Sequence, residues 1–180
     1  MIEDGIKISE LTTTNTINDE DLIPIVQEEE TKSATIGQIL YSNKIYCKAT
    51  VTTEQTASTN YYVVLNSFNV NTGDFTFQDG GIRIPAGINH IRMSGSVFLN
   101  NFPGGTNYLW AKIYRVRGTI TDHISGSLNN STATFISASV PEVITNVQEG
   151  DIIKIMADSP RGGTIRTYGP NTWLMIEKID

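Results

Sequence analysis

Apolar and polar residues alternate along most of the chain with a period of two. In His90–Leu99, residues Ile91, Met93, Gly95, Val97 and Leu99 share one face, and His90, Arg92, Ser94 and Ser96 occupy the other. That is a strand with one dry side. The same reading predicts strands over Tyr46–Thr53, Tyr61–Phe68, Asp74–Gln78, Ile82–Ile84, His90–Asn100, Tyr108–Arg117, Thr132–Val140, Asp151–Ala157, Thr164–Tyr168 and Thr172–Ile179. Between them stand turn residues that tolerate positive φ: Asn71-Thr72-Gly73, Asp79-Gly80-Gly81, Pro103-Gly104-Gly105, Asn129-Asn130 and Arg161-Gly162-Gly163. Strands at this spacing, with no helix among them, predict an all-β sandwich or jelly roll.

Two strands break the simple pattern. In Tyr108–Arg117, Leu109, Ala111 and Ile113 share a face, yet Tyr108, Trp110, Tyr114 and Val116 line the other. At the end of the chain Trp173, Met175 and Ile179 oppose Leu174 and Ile176. A strand apolar on both sides is covered on both sides. The second cover in a two-layer sandwich has to be a loop, the N-terminal segment or a neighbouring subunit, and large aromatics favour the subunit.

The first forty residues are written differently. Leu22-Ile23-Pro24-Ile25-Val26 predicts a short strand, held to a sheet edge or strand start because Pro24 has no N–H to donate. Gln27–Glu30 predicts a charged turn, Thr31–Ala34 a returning arm, and Thr35-Ile36-Gly37-Gln38 a capping box opening a short helix through Tyr41. A lone hairpin is marginal in water. Ile8, Leu11, Leu22, Ile23, Ile25, Ile36 and Leu40 therefore need a surface supplied by other copies of the chain or by another protein. Charge changes at the same place: residues 1–40 hold nine acids and two bases, a net of −7, whereas the remaining residues net +1. The boundary is accordingly expected near residue 40, with segments 1–40 and 41–180.

Composition narrows the function classes. The overall charge of −6, with no basic stripe, argues against nucleic-acid binding. Cys47 is the only cysteine, which excludes an internal disulfide and a cysteine-based zinc site and suits a reducing cytoplasm. The acidic N-terminus is no signal peptide, and the longest apolar run, Trp173-Leu174-Met175-Ile176, is far short of the ~20 residues of a membrane helix.

Catalytic chemistry finds no foothold. His90 and His123 lie in no metal-spacing motif, and Asp19-Glu20-Asp21 lacks the glycine and distant glutamate of a calcium loop. No Gly-x-Ser-x-Gly elbow is present, and Arg161-Gly162-Gly163-Thr164 lacks the Lys-Ser/Thr end of a phosphate loop. Paired carboxylates for glycoside hydrolysis depend on a separation of roughly 5–10 Å that sequence does not fix. The expectation is a non-enzymatic protein with no cofactor and no metal. Its candidate ligand contacts are loop residues Asn101, Phe102, Arg161, Arg166 and Tyr168, which offer stacking and hydrogen bonds.

Two resemblances sharpen this. Phe68-x-x-x-x-Gly73-Asp-Phe75-x-Phe77, then Ile82-Arg-Ile84-Pro85-Ala-Gly87 and Ile91-x-Met93-x-Gly95-x-Val97, resemble the first half of a TNF-like or complement-head-like jelly roll. Gln148-Glu149-Gly150-Asp151 leading into Ile152–Ile155, and Thr172–Ile176, are similar to its later pieces. The resemblance implies a ten-stranded jelly roll over residues 46–180 assembled as a homotrimer, with Tyr62, Tyr108, Trp110, Tyr114 and Trp173 as candidates for the threefold axis. No aromatic pair follows the Ile-Pro-x-x-Gly motif and no collagen-like stalk precedes the head, so a secreted animal signalling ligand is not expected.

The front segment resembles the attachment module of bacteriophage fibre proteins, through Lys7-Ile8-Ser9-Glu10-Leu11, Asp21–Val26 and Thr31-Lys32-x-Ala34-Thr35-Ile36. This resemblance implies that Ile8, Leu11, Leu22, Ile23, Pro24, Ile25, Ile36 and Leu40 pin the chain to a capsid or another virion protein. The expected function is thus a homotrimeric phage head fibre or decoration protein, made in the host bacterial cytoplasm and resident in the virion. The alternative is a tail-fibre tip that recognises a host surface glycan.

Overall fold

A computed structural model describes residues 44–100, 108–165 and 172–179 in full, and the backbone of residues 22–27 and 30–35. The chain divides into two compact units, Met1–Lys44 and Ile45–Asp180. In the first, β1 (Leu22–Gln27) and β2 (Glu30–Thr35) pair antiparallel, with Leu22 opposite Thr35 and Pro24 opposite Ser33. The helix expected after Thr35 lies outside the described residues, as do Ile8, Leu11, Ile36 and Leu40 and the side chains of Leu22, Ile23, Pro24 and Ile25.

The second unit contains β3 (Tyr46–Thr50), β4 (Gln55–Ala57), β5 (Tyr61–Tyr62), β6 (Ser67–Asn71), β7 (Thr76–Gln78), β8 (Gly81–Arg83) and β9 (His90–Asn100). It continues with β10 (Tyr108–Arg117), β11 (Ile120–Asn130), β12 (Phe135–Asn146), β13 (Ile152–Asp158), β14 (Gly163–Ile165) and β15 (Trp173–Lys178). Two antiparallel sheets result. The first runs β11-β10-β13-β8-β7, with β5 beside the far end of β13. The second runs β6-β3-β15-β9, with β12 on the other edge of β9, β14 alongside β9 beyond β15, and β4 outside β14.

The period-two pattern decides which residues lie between the sheets. Ile91, Met93, Val97 and Leu99 of β9 and Leu174 and Ile176 of β15 point inward from the second sheet, and all are fully buried. Leu109, Ala111 and Ile113 of β10 and Ile153, Ile155 and Ala157 of β13 meet them from the first. Burying each of the larger of these side chains contributes about 1.5–3 kcal/mol relative to leaving it in water.

Several local choices follow from the sequence. β7 and β8 join through Asp79 and Gly80, with Gln78 paired to Gly81 and φ of 49° and 76° at the two turn residues. Both central residues at positive φ give the hairpin turn whose twist matches its strands. Pro141 falls in β12 at a register shift between Val140 and Val143, on a strand whose one partner among the described residues is β9. An edge-strand bulge is where a residue without an N–H fits, so β12 continues past the expected end at Val140.

Two expectations are revised in detail. The run Tyr61–Phe68 is not one strand but a crossing between sheets: β5 pairs with β13, Val63 N–H donates to Ile155 O at 2.9 Å, and β6 then pairs with β3 in the other sheet. Ile120–Asn130, where no strand is expected and Asn129-Asn130 are expected as turn residues, is an eleven-residue strand hydrogen-bonded to β10. Its polar Thr121-Asp122-His123-Ile124-Ser125-Gly126-Ser127 pattern hid it. The signal lay in Gly118-Thr119, a two-residue connection with Gly118 at φ 58°, where Arg117 pairs with Ile120.

Candidate functional site

Among the described residues no three His, Cys, Asp or Glu side chains converge as a metal site. What the fold builds instead is two outer sheet faces of different chemistry. Each is produced by the residues that alternate with the core.

On the first sheet, strand register brings Trp110, Lys112, Tyr114 and Val116 of β10 opposite Asp158, Met156, Lys154 and Ile152 of β13. Met156 is in turn opposite Tyr62 of β5, and Trp110 and Tyr114 are opposite Leu128 and His123 of β11. The side chains form a continuous cluster. Tyr62 meets Tyr114 edge-on with ring centroids 5.7 Å apart, and Tyr114 lies 5.2 Å from the His123 ring. Lys112 Nζ sits 4.1 Å from the centre of the Trp110 indole and donates to Asp158 Oδ2 at 2.6 Å. Asp158 Oδ1 also accepts the Asn60 N–H at 3.3 Å, so the carboxylate of this nearly buried pair is bonded through both oxygens.

Lys154 Nζ stands 5.5 Å from the centre of the Tyr62 ring. Burial pushes the Tyr62 phenol above its ordinary value; the neighbouring Tyr114 adds to the rise and the Lys112 charge partly offsets it. The phenol, neutral already at its ordinary value, is a hydrogen-bond donor throughout the physiological range. Tyr62 is 37% exposed and Trp110 is 36% exposed, so both rings are presented to solvent.

The second sheet's outer face is smoother. Trp173 and Met175 of β15 lie opposite Ser96 and Ser94 of β9, and Ser139 and Ser137 of β12 lie opposite Ser96 and Phe98. Ser139 Oγ donates to Ser96 Oγ at 3.3 Å, and the Phe98 and Phe135 rings stack with centroids 6.3 Å apart. Its charges are mutually matched near one end, where Arg92 approaches Glu142 at 3.6 Å and Glu177 at 3.8 Å. Lys48 lies 4.8 Å from the Trp173 ring centre. Along β12, Phe135 and Ile144 are more than half exposed, at 57% and 56%.

The five aromatics that are candidates for the threefold axis are thus divided between two faces. Tyr62, Tyr108, Trp110 and Tyr114 belong to the first sheet's outer face, and Trp173 belongs to the second's. Ser94, Ser96, Ser137 and Ser139, which alternation marks as outward but which carry no apolar signal, make up the centre of the face that holds Trp173. Of the candidate ligand loops, Arg161 is exposed in the turn after β13, where Gly162 N–H donates to Ser159 O at 3.1 Å. Asn101, Phe102, Arg166 and Tyr168 lie outside the described residues.

No family model matches the chain, and no curated protein sequence matches it. Solved structures do. Murine APRIL at pH 5.0 superposes with a TM-score of 0.61 and 14% identity, covering 76% of this chain and 100% of that one. Eiger TNF from S. frugiperda superposes with a TM-score of 0.59 and 8% identity, covering 76% of this chain and 93% of that one. At such identities the likeness establishes the fold, and that fold is a TNF-like jelly roll.

Proposed function

We propose that the protein is a non-enzymatic structural component of a bacteriophage particle, a homotrimeric head fibre or decoration protein. Residues 1–40 attach it to a capsid or other virion protein, and the jelly roll projects outward. The observation that carries the reading is the outer face of the second sheet. There, small serines flanked by Phe98, Trp173 and Met175 allow close approach of another chain, and its arginine is matched by its own acids. Phe135, stacked on Phe98, and Ile144, opposite Arg92, extend the apolar part of the same face along β12. One part of this face meeting a different part of it on the neighbour is a heterologous contact, which closes into a ring when the rotation allows.

Mass in solution is the direct test of assembly. A species about three times 19.8 kDa supports the reading, and a monomer at 19.8 kDa overturns it. Ser139→Arg, placing a long cation on the exposed serine opposite Ser96, is expected to give the monomer. Attachment is tested by deleting residues 1–40 and imaging labelled protein on purified virions. Unimpaired decoration by the truncated head would reject the anchor.

The second reading, a tail-fibre tip recognising host surface glycan, is favoured by one specific observation. The face bearing Tyr62 and Trp110 offers exposed rings beside a lysine.

A further inference from the structure

We propose that the outer face of the first sheet binds an anionic saccharide, with Tyr62 and Tyr114 as the packing surface and Lys154 as the partner of the anion. The inference deepens the glycan reading above and rests on it, but it does not depend on whether a virion carries the head.

Charge accounting singles out Lys154. Lys112 on this face is neutralised by Asp158 at 2.6 Å, and Arg83, at its border on β8, faces Glu149 at 3.8 Å. Among the described residues Lys154 approaches no carboxylate; its contact is the Tyr62 ring. A cation held over an aromatic face keeps its charge available to an incoming anion, since a ring quadrupole does not neutralise it. The occupant is therefore expected to bring the missing negative charge.

The rest of the surface fits a sugar ring. Tyr62 and Tyr114, set edge-on to one another, form a step beside Lys154 against which the C–H face of a pyranose can pack. The Tyr62 phenol, neutral at its ordinary value and raised further here, is able to donate to a hydroxyl. Nearby, Gly126 stands opposite Lys112, and a Cβ there would come within 2.8 Å of Trp110 Nε1 and 3.2 Å of His123 Nε2. The missing side chain lets the indole lie across β11 and leaves two ring nitrogens around one bare backbone position. A nucleic acid would require several uncompensated cations, whereas on this face only Lys154 is without a carboxylate partner among the described residues.

The test uses the full-length protein and isothermal titration with three probes: an oligogalacturonate, a phosphorylated mannan fragment and a neutral galactan fragment. At least one anionic probe is expected to bind at least about tenfold more tightly than the neutral one, and the stronger of the two tells carboxylate from phosphate. Lys154→Gln and Tyr62→Ala are each expected to weaken it about tenfold, Lys154→Arg to retain it, and Lys178→Gln on the other sheet to leave it unchanged. Equal binding of neutral and anionic probes, or binding indifferent to Lys154→Gln, overturns the proposal. If no probe binds but labelled protein still adheres to host cells through glycan, this inference fails and the glycan reading stands. If it adheres to neither, both fail. Thermal midpoints of the variants confirm folding, and Lys154→Arg serves where Lys154→Gln does not fold.

Discussion

Gly95 and Ile155 meet across the interior so closely that a Cβ on the glycine would lie 2.8 Å from the isoleucine Cδ1 and 3.0 Å from the Trp173 carbonyl oxygen. The dry face of β9 has no side chain at its middle because β13, in the opposite sheet, fills that space. Gly95→Val is expected to cost about 2 kcal/mol or more through overpacking. The urea midpoint should fall accordingly, and pairing the change with Ile155→Ala should recover part of the loss.

Lys112 and Asp158 form a nearly closed ion pair, each side chain 11% exposed. Removing one partner strands the other charge, so Lys112→Met is expected to destabilise the fold by about 3 kcal/mol. Lys112→Met combined with Asp158→Leu should cost much less than the sum of the two single changes, as read by urea unfolding of all three variants.

Arg117 grips Asp151 with Nε on Oδ1 at 2.8 Å and Nη2 on Oδ2 at 2.6 Å. Burial pushes the Asp151 carboxyl up. The hydrogen bonds from Arg117 and the Gln148 N–H, with the charges of Arg117 and Arg115, outweigh it and hold the group below its ordinary 3.8. A depressed folded value means that the contribution is complete above the ordinary carboxylate range and drains away as pH falls through the folded value. Stability should therefore drop below about pH 4, with a shallower acid limb in Asp151→Asn, which should be less stable at neutral pH. Denaturant midpoints measured across the acid range check both.

Cys47 faces the core from β3, and burial pushes its thiol from 9.0 up to about 12, only partly offset by a backbone hydrogen bond with Ile176. The folded protein should resist alkylation at mildly alkaline pH and react once denatured, which mass spectrometry resolves as a single adduct. Because the folded value is raised, this group's contribution is whole below its ordinary value and is lost as pH rises towards about 12. Cys47→Ala should flatten that alkaline limb.

The divided aromatics show how far local pattern reaches. Tyr108–Val116 and Trp173–Ile179 have the same signature, apolar on both sides, and nothing within either segment distinguishes them. Their difference arises because β10 pairs with β13 and β15 pairs with β9, partners 36 to 48 residues away in the first case and more than seventy in the second. β11 went unread for a related reason: neither side of that edge strand is strongly apolar, so its place is set by pairing with β10 and by Gly118.

Alternation alone determined the all-β class, the inward residues of β9 and the Asp79-Gly80 turn, because side-chain period and turn conformation are properties of a few adjacent residues. Tertiary structure decided which sheet each strand joins and hence which outer face each ring occupies. It set Lys112 against Asp158, gathered Tyr62, Tyr114 and Lys154 from three strands, and collected four serines into one surface. Those relationships rest on long-range register, and register is fixed only when the two sheets close on a common core.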